Sequence, residues 1–374
     1  DAFTQSLIEK FGYDIIPNTR DYFFKKGTFY KNVYAQSEWT LSSIASIFTG
    51  KYTNEHLIYH PRREDKIKDK TLSEVLSQQG YTTFACTNIP KLSPINGFDQ
   101  GFDRYLIAVE ENFSFIIDQA LDQLETFQEN QYLFLGFFDL HEAHTLQPLL
   151  SQSLNDLEDF QYKKLKGNSK DTSILYDEER IKMYKNSVTY LDKKLSALYQ
   201  KIDEIDRGAI VAFHSDHGVN FMSKTTELLG CEREKVIFLY RGSEAAEKED
   251  ERIKEVRSLS GMICHDLGLK TIPLLQNSDY AITESLYPGK EYELAIRDAK
   301  HVLFFKVPWY AIKNKIEENY KYEARFFHVN DETIPVANIA NEQQMISLAK
   351  KHHRSLIQNL KKEEYQLLPL CLLA

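Results

Sequence analysis

The sequence predicts an α/β fold in which a doubly wound, mostly parallel sheet is covered by helices on both faces. Short apolar segments rich in strand-forming residues occur along the chain: TTFACT (82–87), YLFLGFFDL (132–140), AIVAFHSD (209–216) and KVIFLYR (235–241). Helical patterns lie between them, at 71–80 and 179–205. Continuous apolar strands that alternate with helices are typical of a parallel sheet buried on both faces.

The pattern changes from about residue 291, where a smaller unit is expected. The segment 292–307 predicts a hairpin, 322–331 a further strand, and 341–362 an amphipathic closing helix. We therefore predict a main body over 1–290 and a C-terminal α+β subdomain over 291–374, connected by ESLYPGKE (284–291). Two charged runs, EAAEKEDERIKE (244–255) and KKHHRSL (350–356), are expected to be solvated helix faces.

The charge balance excludes a general affinity for nucleic acid. The chain has 46 basic and 55 acidic residues and a formal net charge of -9, so an anionic substrate has to be held by local cations or a metal. The sequence contains no run of about 18 apolar residues, so no membrane span is predicted. The four cysteines are scattered without a CxxC spacing, which favours a reducing compartment and a cytoplasmic location. An upstream signal or membrane segment and the oligomeric state stay open.

The segment SEWTLSSIASIFTGKY (37–52) predicts a short apolar helix that begins at Thr40 and ends at Gly50. Thr40 is then placed at the helix N-terminus, where free backbone N–H groups and the helix dipole stabilise negative charge. Two interpretations are open at this stage. Thr40 is either an ordinary N-cap or a hydroxyl whose alkoxide form is stabilised.

Acidic and imidazole side chains follow two of the predicted strands. His141 comes after the strand at 132–140, and Asp216 and His217 come after the strand at 209–216, just before Gly218. In doubly wound sheets, reactive residues gather beyond the carboxyl ends of the strands. An adjacent carboxylate and imidazole can bind one cation together.

Taken together, these motifs resemble the sulfatase branch of the alkaline phosphatase superfamily, and the resemblance covers nearly the whole chain. The quoted segments match that family in order: TLSSIASIFTGKY (40–52), TLSEVLSQQGYTTFACTN (71–88), NGFDQGFDRY (96–105), YKNSVTYLDKKLSALYQKI (184–202), SDHG (215–218) and YPGKEYELAIRDAKHVLFF (287–305). The resemblance implies an alkaline phosphatase-like catalytic domain and a metal-dependent hydrolase or transferase of ester bonds.

The resemblance also implies roles for individual residues. Thr40 matches the nucleophile, and Asp1, Thr40, Asp216 and His217 match the metal ligands. His141 matches a histidine near the transferred group, with a core histidine as the alternative. Ala2 replaces a second acidic residue that many sulfatases carry, which favours one Mn, Mg or Zn ion over a Ca site.

The nucleophile position departs from the sulfatase pattern. Sulfatases carry Cys or Ser within Cys/Ser-x-Pro/Ala-x-Arg and oxidise it to formylglycine, whereas this chain has Thr40 followed by Leu-Ser-Ser-Ile. Threonine instead resembles the superfamily's phosphodiesterases and phosphoethanolamine or phosphoglycerol transferases, which implies a covalent phosphothreonine. The expected substrate is a small-molecule, glycan-linked or lipid-linked phosphate, phosphonate or sulfate ester. Sulfate-ester hydrolysis by unmodified Thr40 or Ser42, or a non-catalytic binding module, are the alternatives.

Three further residues are candidates for substrate binding. Lys224 lies seven residues after His217 and is either a phosphoryl-binding cation or a solvated loop lysine. Asn88 and Lys91 occupy the place where sulfatases carry a Lys and a His near the substrate, although the local sequence TNIPKLSP differs from theirs.

Overall fold

The computed structural model describes residues 1–59, 65–127, 130–141, 178–223, 225, 227–242, 249–275, 278–286 and 291–363. The α-helices in these ranges are α1 (Gln5–Phe11), α2 (Pro17–Lys26), α3 (Thr40–Thr49), α4 (Thr53–His56), α5 (Leu72–Gln78), α6 (Phe113–Thr126), α7 (Glu178–Ile205), α8 (Cys231–Glu234), α9 (Ser258–Asp266), α10 (Trp309–Lys313) and α11 (Glu342–Lys362). Short 3₁₀ helices occupy Tyr13–Ile15 and Pro94–Asn96.

Within the described ranges, the strands form three sheets, two in the main body and one near the C-terminus. They are β1 (Thr28–Tyr34), β2 (Thr82–Thr87), β3 (Arg104–Ile107), β4 (Gln131–Gly136), β5 (Val211–His214), β6 (Phe238–Arg241), β7 (Glu249–Glu255), β8 (Ala281–Leu286), β9 (Glu291–Arg297), β10 (His301–Pro308), β11 (Glu323–His328) and β12 (Asp331–Val336).

The two sheets of the main body are mostly parallel, as predicted. One has the order β3-β2-β4 and is entirely parallel. The other has the order β5-β6-β1-β7, in which β1 and β7 are parallel and β6 is antiparallel to both of its neighbours. The prediction that β6 would be parallel is wrong. A parallel return needs a long crossover, usually a helix, and the described residues between β5 and β6 contain only the four-residue α8.

Helices cover the main body from both sides. On one side α1, α2, α6 and α7 enclose a core, and α7 contributes a stripe at helical spacing: Ile181, Tyr184, Val188, Leu191, Leu195 and Leu198. On the other side α3 and α9 pack with residues of β1, β4 and β6. These two cores confirm the doubly wound α/β class.

The C-terminal unit is the predicted α+β subdomain. Its five strands are antiparallel in the order β12-β11-β10-β9-β8. The amphipathic helix α11 packs on this sheet, with Met345, Ala349 and Leu356 buried. Strand β8 pairs with β9. The C-terminal sheet therefore includes Ala281–Leu286, which the predicted boundary at 290/291 assigns to the main body.

The prediction of a solvated helix face is wrong for the first charged run and holds in part for the second, which is helical and exposes Lys350, Lys351 and Arg354. Residues 249–255 form strand β7, parallel to β1. Residues 244–248 lie outside the described ranges. In α11, His352 and His353 are buried, with 7% and 0% of their surface exposed. On β7 the buried carboxylate of Asp250 pairs with Arg252, and on α11 Nε2 of His352 lies 3.1 Å from Glu284. Within the described residues, neither ring nitrogen of His353 has a hydrogen-bond partner.

Glu284 on β8 joins the C-terminal unit to the main body. Its carboxylate accepts the backbone N–H of Asn54 (2.7 Å), the hydroxyls of Tyr59 (2.8 Å) and Tyr292 (2.6 Å), and lies 3.1 Å from Nε2 of His352. Burial alone would raise the pKa of Glu284, but His352 and the tyrosine hydroxyls lower it below its usual value of 4.5. The buried carboxylate is thus fully compensated.

Other global features are simple. None of the helices in the described ranges has the length and apolar character needed to cross a membrane. Cys86, Cys231 and Cys264 are free thiols.

Glu284→Gln is expected to lower the free energy of unfolding by about 3 kcal/mol, because it removes the buried charge on which several donors converge. Thermal unfolding at pH 7 measures this loss. The lowered pKa means that the stabilisation is present above pH 4.5 and is lost as the pH falls further. The difference between wild type and variant should therefore narrow in acid.

Glu317→Gln is the matched control, because Glu317 makes surface contacts with Lys361 and Gln358 on α11. It should change the unfolding midpoint little. Equal losses for the two variants would contradict the assigned role of Glu284.

Candidate active site

Thr40 is held by a rigid helix. Trp39 precedes α3 in an extended conformation (φ -150°, ψ 160°) and gives no side-chain cap, so Thr40 is the first helical residue. The helix ends at Gly50, whose left-handed backbone (φ 73°) lets its N–H bond to the carbonyl of Ser46. Every residue of α3 is buried. The packed helix therefore fixes the position of the Thr40 side chain.

The turn after β5 presents Asp216 and His217. Oδ1 of Asp216 accepts the backbone N–H groups of Ala2 (3.1 Å) and His217 (2.9 Å). Ser215 accepts the N–H of Phe3 (2.7 Å) and donates to the carbonyl of His217 (2.8 Å). These bonds tie the start of the chain to the turn and leave Oδ2 of Asp216 directed to the centre of the site.

Gly218 allows this turn to pack against α8. Its N–H donates to the carbonyl of Arg233 at 2.6 Å. A Cβ atom at Gly218 would lie 2.2 Å from the carbonyl oxygen of Glu232, which is closer than real Cβ atoms approach backbone. Glycine is therefore required by close packing at this position.

The backbone around Asp1 is also fixed. The amino group of Asp1 donates to the carbonyl of Phe137 at 3.1 Å. Ala2 adopts a left-handed conformation (φ 57°) that is unusual for a non-glycine residue. The hydroxyl of Tyr184 donates to the carbonyl of Ala2 and accepts the N–H of Thr4. These contacts of the neighbouring backbone hold the carboxylate of Asp1 in one place.

Four predicted residues meet at one point. The hydroxyl of Thr40 donates to Oδ2 of Asp1 (2.9 Å) and lies 3.2 Å from Nε2 of His217. Nε2 of His217 lies 3.6 Å from Oδ1 of Asp1 and 3.7 Å from Oδ2 of Asp216. Only 2% of Thr40 is exposed. Thr40 does not act as an N-cap.

The ligand atoms fit a divalent cation. One ligand atom from each of Asp1, Asp216 and His217 lies within 4.8 Å of the others, and within the described ranges no other group of such side chains is as close. In the described part of the chain, Oδ1 of Asp1 and Oδ2 of Asp216 are buried and accept no hydrogen bond. Two buried, unpartnered carboxylate oxygens beside an imidazole are costly without a cation.

His217 is oriented for metal binding. Its Nδ1 lies 2.8 Å from the carbonyl of Gly218 and donates to it, which leaves the lone pair of Nε2 facing the two carboxylates. Burial lowers the pKa of His217 to about 4, although Asp216 opposes this effect. Burial would raise the pKa of Asp216, but His217 and backbone N–H groups lower it below its usual value. The site therefore holds a neutral imidazole beside an ionised carboxylate.

His141 lies at the edge of the site. Its ring stacks on Phe138 with ring centroids 4.6 Å apart, and it meets the ring of His217 edge-on at 6.2 Å. It is partly exposed. The structure therefore brings His141 next to a predicted metal ligand, and its predicted role near the leaving group stays a prediction.

Asn88 is used by the protein itself. Its amide nitrogen donates to the carbonyl of Glu111 (2.9 Å) and to Asp139 (2.8 Å), and its oxygen accepts the N–H of Phe138 (2.6 Å). Only 4% of the residue is exposed. Asn88 thus helps to hold the segment after β4, and its predicted contact with substrate stays a prediction.

Of the two lysines predicted to bind substrate, Lys91 lies in the described part of the chain. Nζ of Lys91 lies 4.6 Å from the centre of the Trp39 ring, one residue from Thr40. Burial lowers its pKa, and Arg233 also lowers it while Asp216 raises it. Lys91 is exposed and contacts the residue that precedes Thr40. Lys224 is outside the described residues.

Sequence reasoning missed two residues that build the site. Ser43, one turn after Thr40, donates from its hydroxyl to the carbonyl of Asp216 at 2.6 Å. Arg233 on α8 donates from Nε to the carbonyl of Glu38 at 3.0 Å. The spacing of Ser43 from Thr40 on one helix was a usable signal, whereas the sequence CEREK around Arg233 carries no recognisable motif.

The chain belongs to the sulfatase family. The model of that family, described as Sulfatase, matches residues 7–254. Sulfatases are hydrolases that generally bind a divalent metal, and the group of Asp1, Asp216 and His217 provides for one. No curated protein sequence matches the chain.

Solved structures share the fold over nearly the whole chain. A sulfatase of Bacteroides thetaiotaomicron, from a genetic locus for glycosaminoglycan metabolism, is 14% identical, with 96% of this chain and 94% of that chain covered and a TM-score of 0.64. A phosphonate monoester hydrolase of Agrobacterium radiobacter is 13% identical, with 97% of this chain and 94% of that chain covered and a TM-score of 0.62. A phosphonate monoester hydrolase of Silicibacter pomeroyi is also 13% identical, with 96% of this chain and 94% of that chain covered and a TM-score of 0.63. At these identities the likeness establishes the fold alone.

Mn²⁺ is expected to stabilise the protein, and EDTA to reverse the effect. Free ion at about a hundred times its dissociation constant should add about 2.7 kcal/mol to the free energy of unfolding. Asp216→Asn should abolish this gain, because the amide oxygen keeps the backbone bonds but loses the negative charge. Thermal unfolding with and without the ion measures both.

Asp21→Asn is the matched control. It removes one carboxylate charge from the surface, where Asp21 pairs with Arg20, and should leave the Mn²⁺-dependent shift intact. An unchanged shift in Asp216→Asn would contradict the assigned metal site.

Proposed function

We propose that this chain cleaves phosphodiesters or phosphonate monoesters through a covalent intermediate on Thr40. The observation that carries the proposal is the position of the Thr40 hydroxyl, 2.9 Å from Oδ2 of Asp1 and 3.2 Å from Nε2 of His217. These two side chains also offer atoms to a divalent cation. The expected substrates are small-molecule, glycan-linked or lipid-linked esters.

Asp1, Asp216 and His217 would hold the cation. When bound, it lowers the pKa of the neighbouring hydroxyl and neutralises charge on the phosphoryl oxygens. The chain's own contribution starts with the proton of Thr40, which already points to Oδ2 of Asp1. In our proposal Asp1 accepts this proton as Thr40 attacks phosphorus.

The attack forms a bond between Oγ1 of Thr40 and phosphorus and breaks the bond to the leaving oxygen. The leaving group then takes a proton, for which His141 is the proposed donor. The ring centres of His141 and His217 are 6.2 Å apart, so His141 lies next to the site. In the second half of the reaction, water or an acceptor alcohol gives its proton to His141 and attacks phosphorus, the bond between phosphorus and Oγ1 of Thr40 breaks, and Oγ1 takes back the proton from Asp1. Both acceptors need the same residues.

The identity of the nucleophile favours phosphorus over sulfur. The sulfatase route depends on an aldehyde made from Cys or Ser, and threonine cannot give that aldehyde because a methyl group occupies its Cβ. Ser42 does not supply a substitute, since its buried hydroxyl donates to the carbonyl of Ile58 at 2.7 Å. The structural neighbours include phosphonate monoester hydrolases as well as sulfatases, so the fold is compatible with either ester.

With Mn²⁺, the purified protein should hydrolyse p-nitrophenyl phenylphosphonate or bis-p-nitrophenyl phosphate faster than p-nitrophenyl sulfate. Thr40→Ala should lower kcat/KM by about 10²-fold or more, because the bond to phosphorus can no longer form. Mass spectrometry after acid quenching should find the phosphoryl or phosphonyl group on the peptide that contains Thr40.

Ser42→Ala is the control on the same helix and should retain activity. A clear preference for the aryl sulfate would favour the sulfatase alternative. Failure to turn over any of the three esters, together with failure to bind a divalent ion, would favour a non-catalytic binding module. A cytoplasmic location stays a prediction.

A further inference from the structure

Arg233 lies between two segments that build the site. Its Nε donates to the carbonyl of Glu38 at 3.0 Å, and its Nη1 donates to Oδ1 of Asn220 at 2.9 Å. Glu38 is two residues before Thr40, and Asn220 is three residues after His217. The guanidinium group is therefore positioned against both the nucleophile segment and the metal-ligand segment.

Lys91 approaches the same place from another part of the chain. Its ammonium group lies 4.6 Å from the centre of the Trp39 ring, and Trp39 is the neighbour of Thr40. Besides burial, Asp216 and Arg233 both act on the pKa of Lys91, in opposite directions. Lys91 contacts the side chain of Trp39 and Arg233 contacts the backbone of Glu38, so the two cations lie against consecutive residues just before Thr40, and we call them the cation pair.

The cation pair is not neutralised by the protein. Within the described ranges, neither Lys91 nor Arg233 forms an ion pair with a carboxylate, and both acceptors of Arg233 are uncharged oxygens. The carboxylate of Glu38 accepts the hydroxyls of Ser37 (2.9 Å) and Ser285 (2.6 Å) instead. Two adjacent like charges repel each other, and a bound anion relieves that repulsion.

We propose that Arg233, together with Lys91, binds the non-bridging oxygens of the anionic group that Thr40 attacks. This inference rests on the proposed function for the identity of that group. In the described part of the chain no protein acceptor takes the Nη2 hydrogens of Arg233, so they are available to a tetrahedral anion. The cation pair therefore selects esters whose transferred group keeps a negative charge, and disfavours neutral esters.

Isothermal titration of the full chain with inorganic phosphate, in the presence of Mn²⁺, tests the proposal without requiring turnover. Arg233→Gln should weaken phosphate binding by about 10-fold or more, since a charge-assisted bidentate contact is lost. Arg233→Lys should restore part of the affinity. Lys235→Gln is the matched control, because Lys235 lies two residues away and pairs with Glu9 on the surface. It should bind phosphate like wild type.

Titration with Mn²⁺ alone separates anion binding from a purely structural role. Arg233→Gln should keep its Mn²⁺ affinity, because the metal ligands are unchanged. Loss of both affinities would show that Arg233 only supports the segments around Thr40 and His217, and would overturn the proposal. Unchanged phosphate binding would also overturn it. If the proposed esterase activity fails while phosphate binding depends on Arg233, the anion site stands and only the reaction is wrong.

Discussion

The hydrogen bond from Thr40 to Asp1 is the contact on which the site depends. It joins residues 39 positions apart, at 2.9 Å, and His217 approaches the same hydroxyl from a third segment. Each partner is held by its own support: a fully buried helix for Thr40, the Tyr184 contacts with Ala2 and Thr4 for Asp1, and the Gly218 turn for His217. Small shifts in any support would separate the three atoms.

Bringing these side chains together costs free energy when no ion is bound. Burying Asp1 and Asp216 beside each other removes two carboxylates from water, and one oxygen of each accepts no hydrogen bond within the described part of the chain. The low pKa of His217 means that the imidazole does not provide the missing positive charge at neutral pH. A divalent ion would compensate both carboxylates at once, which would couple metal binding to the stability of the site.

Much of the fold follows from apolar pattern alone, and the exceptions have physical reasons. Strand β2, helix α7 and the hairpin of β9 and β10 lie where period and composition place them. Strand β7 does not, because its sequence EDERIKE is charged and is stabilised by pairing with β1 and by local ion pairs. The direction of β6 depends on how the chain returns after β5, which no local pattern specifies. Tertiary contacts decide such cases.

The same distinction separates the parts of the site that the sequence reveals from those it hides. The proposed metal ligands and the proposed nucleophile need particular residues at particular points of a turn or helix, so Asp216, His217 and Thr40 can be recognised from their spacing in the sequence. The partners of a side chain are not visible: Asn88 turns its amide into the protein, whereas Arg233 reaches the site from a four-residue helix. An arginine held by uncharged acceptors keeps its charge for a ligand. A charged side chain near the site whose acceptors are uncharged can therefore be found from the structure, whereas residue spacing in the sequence does not reveal it.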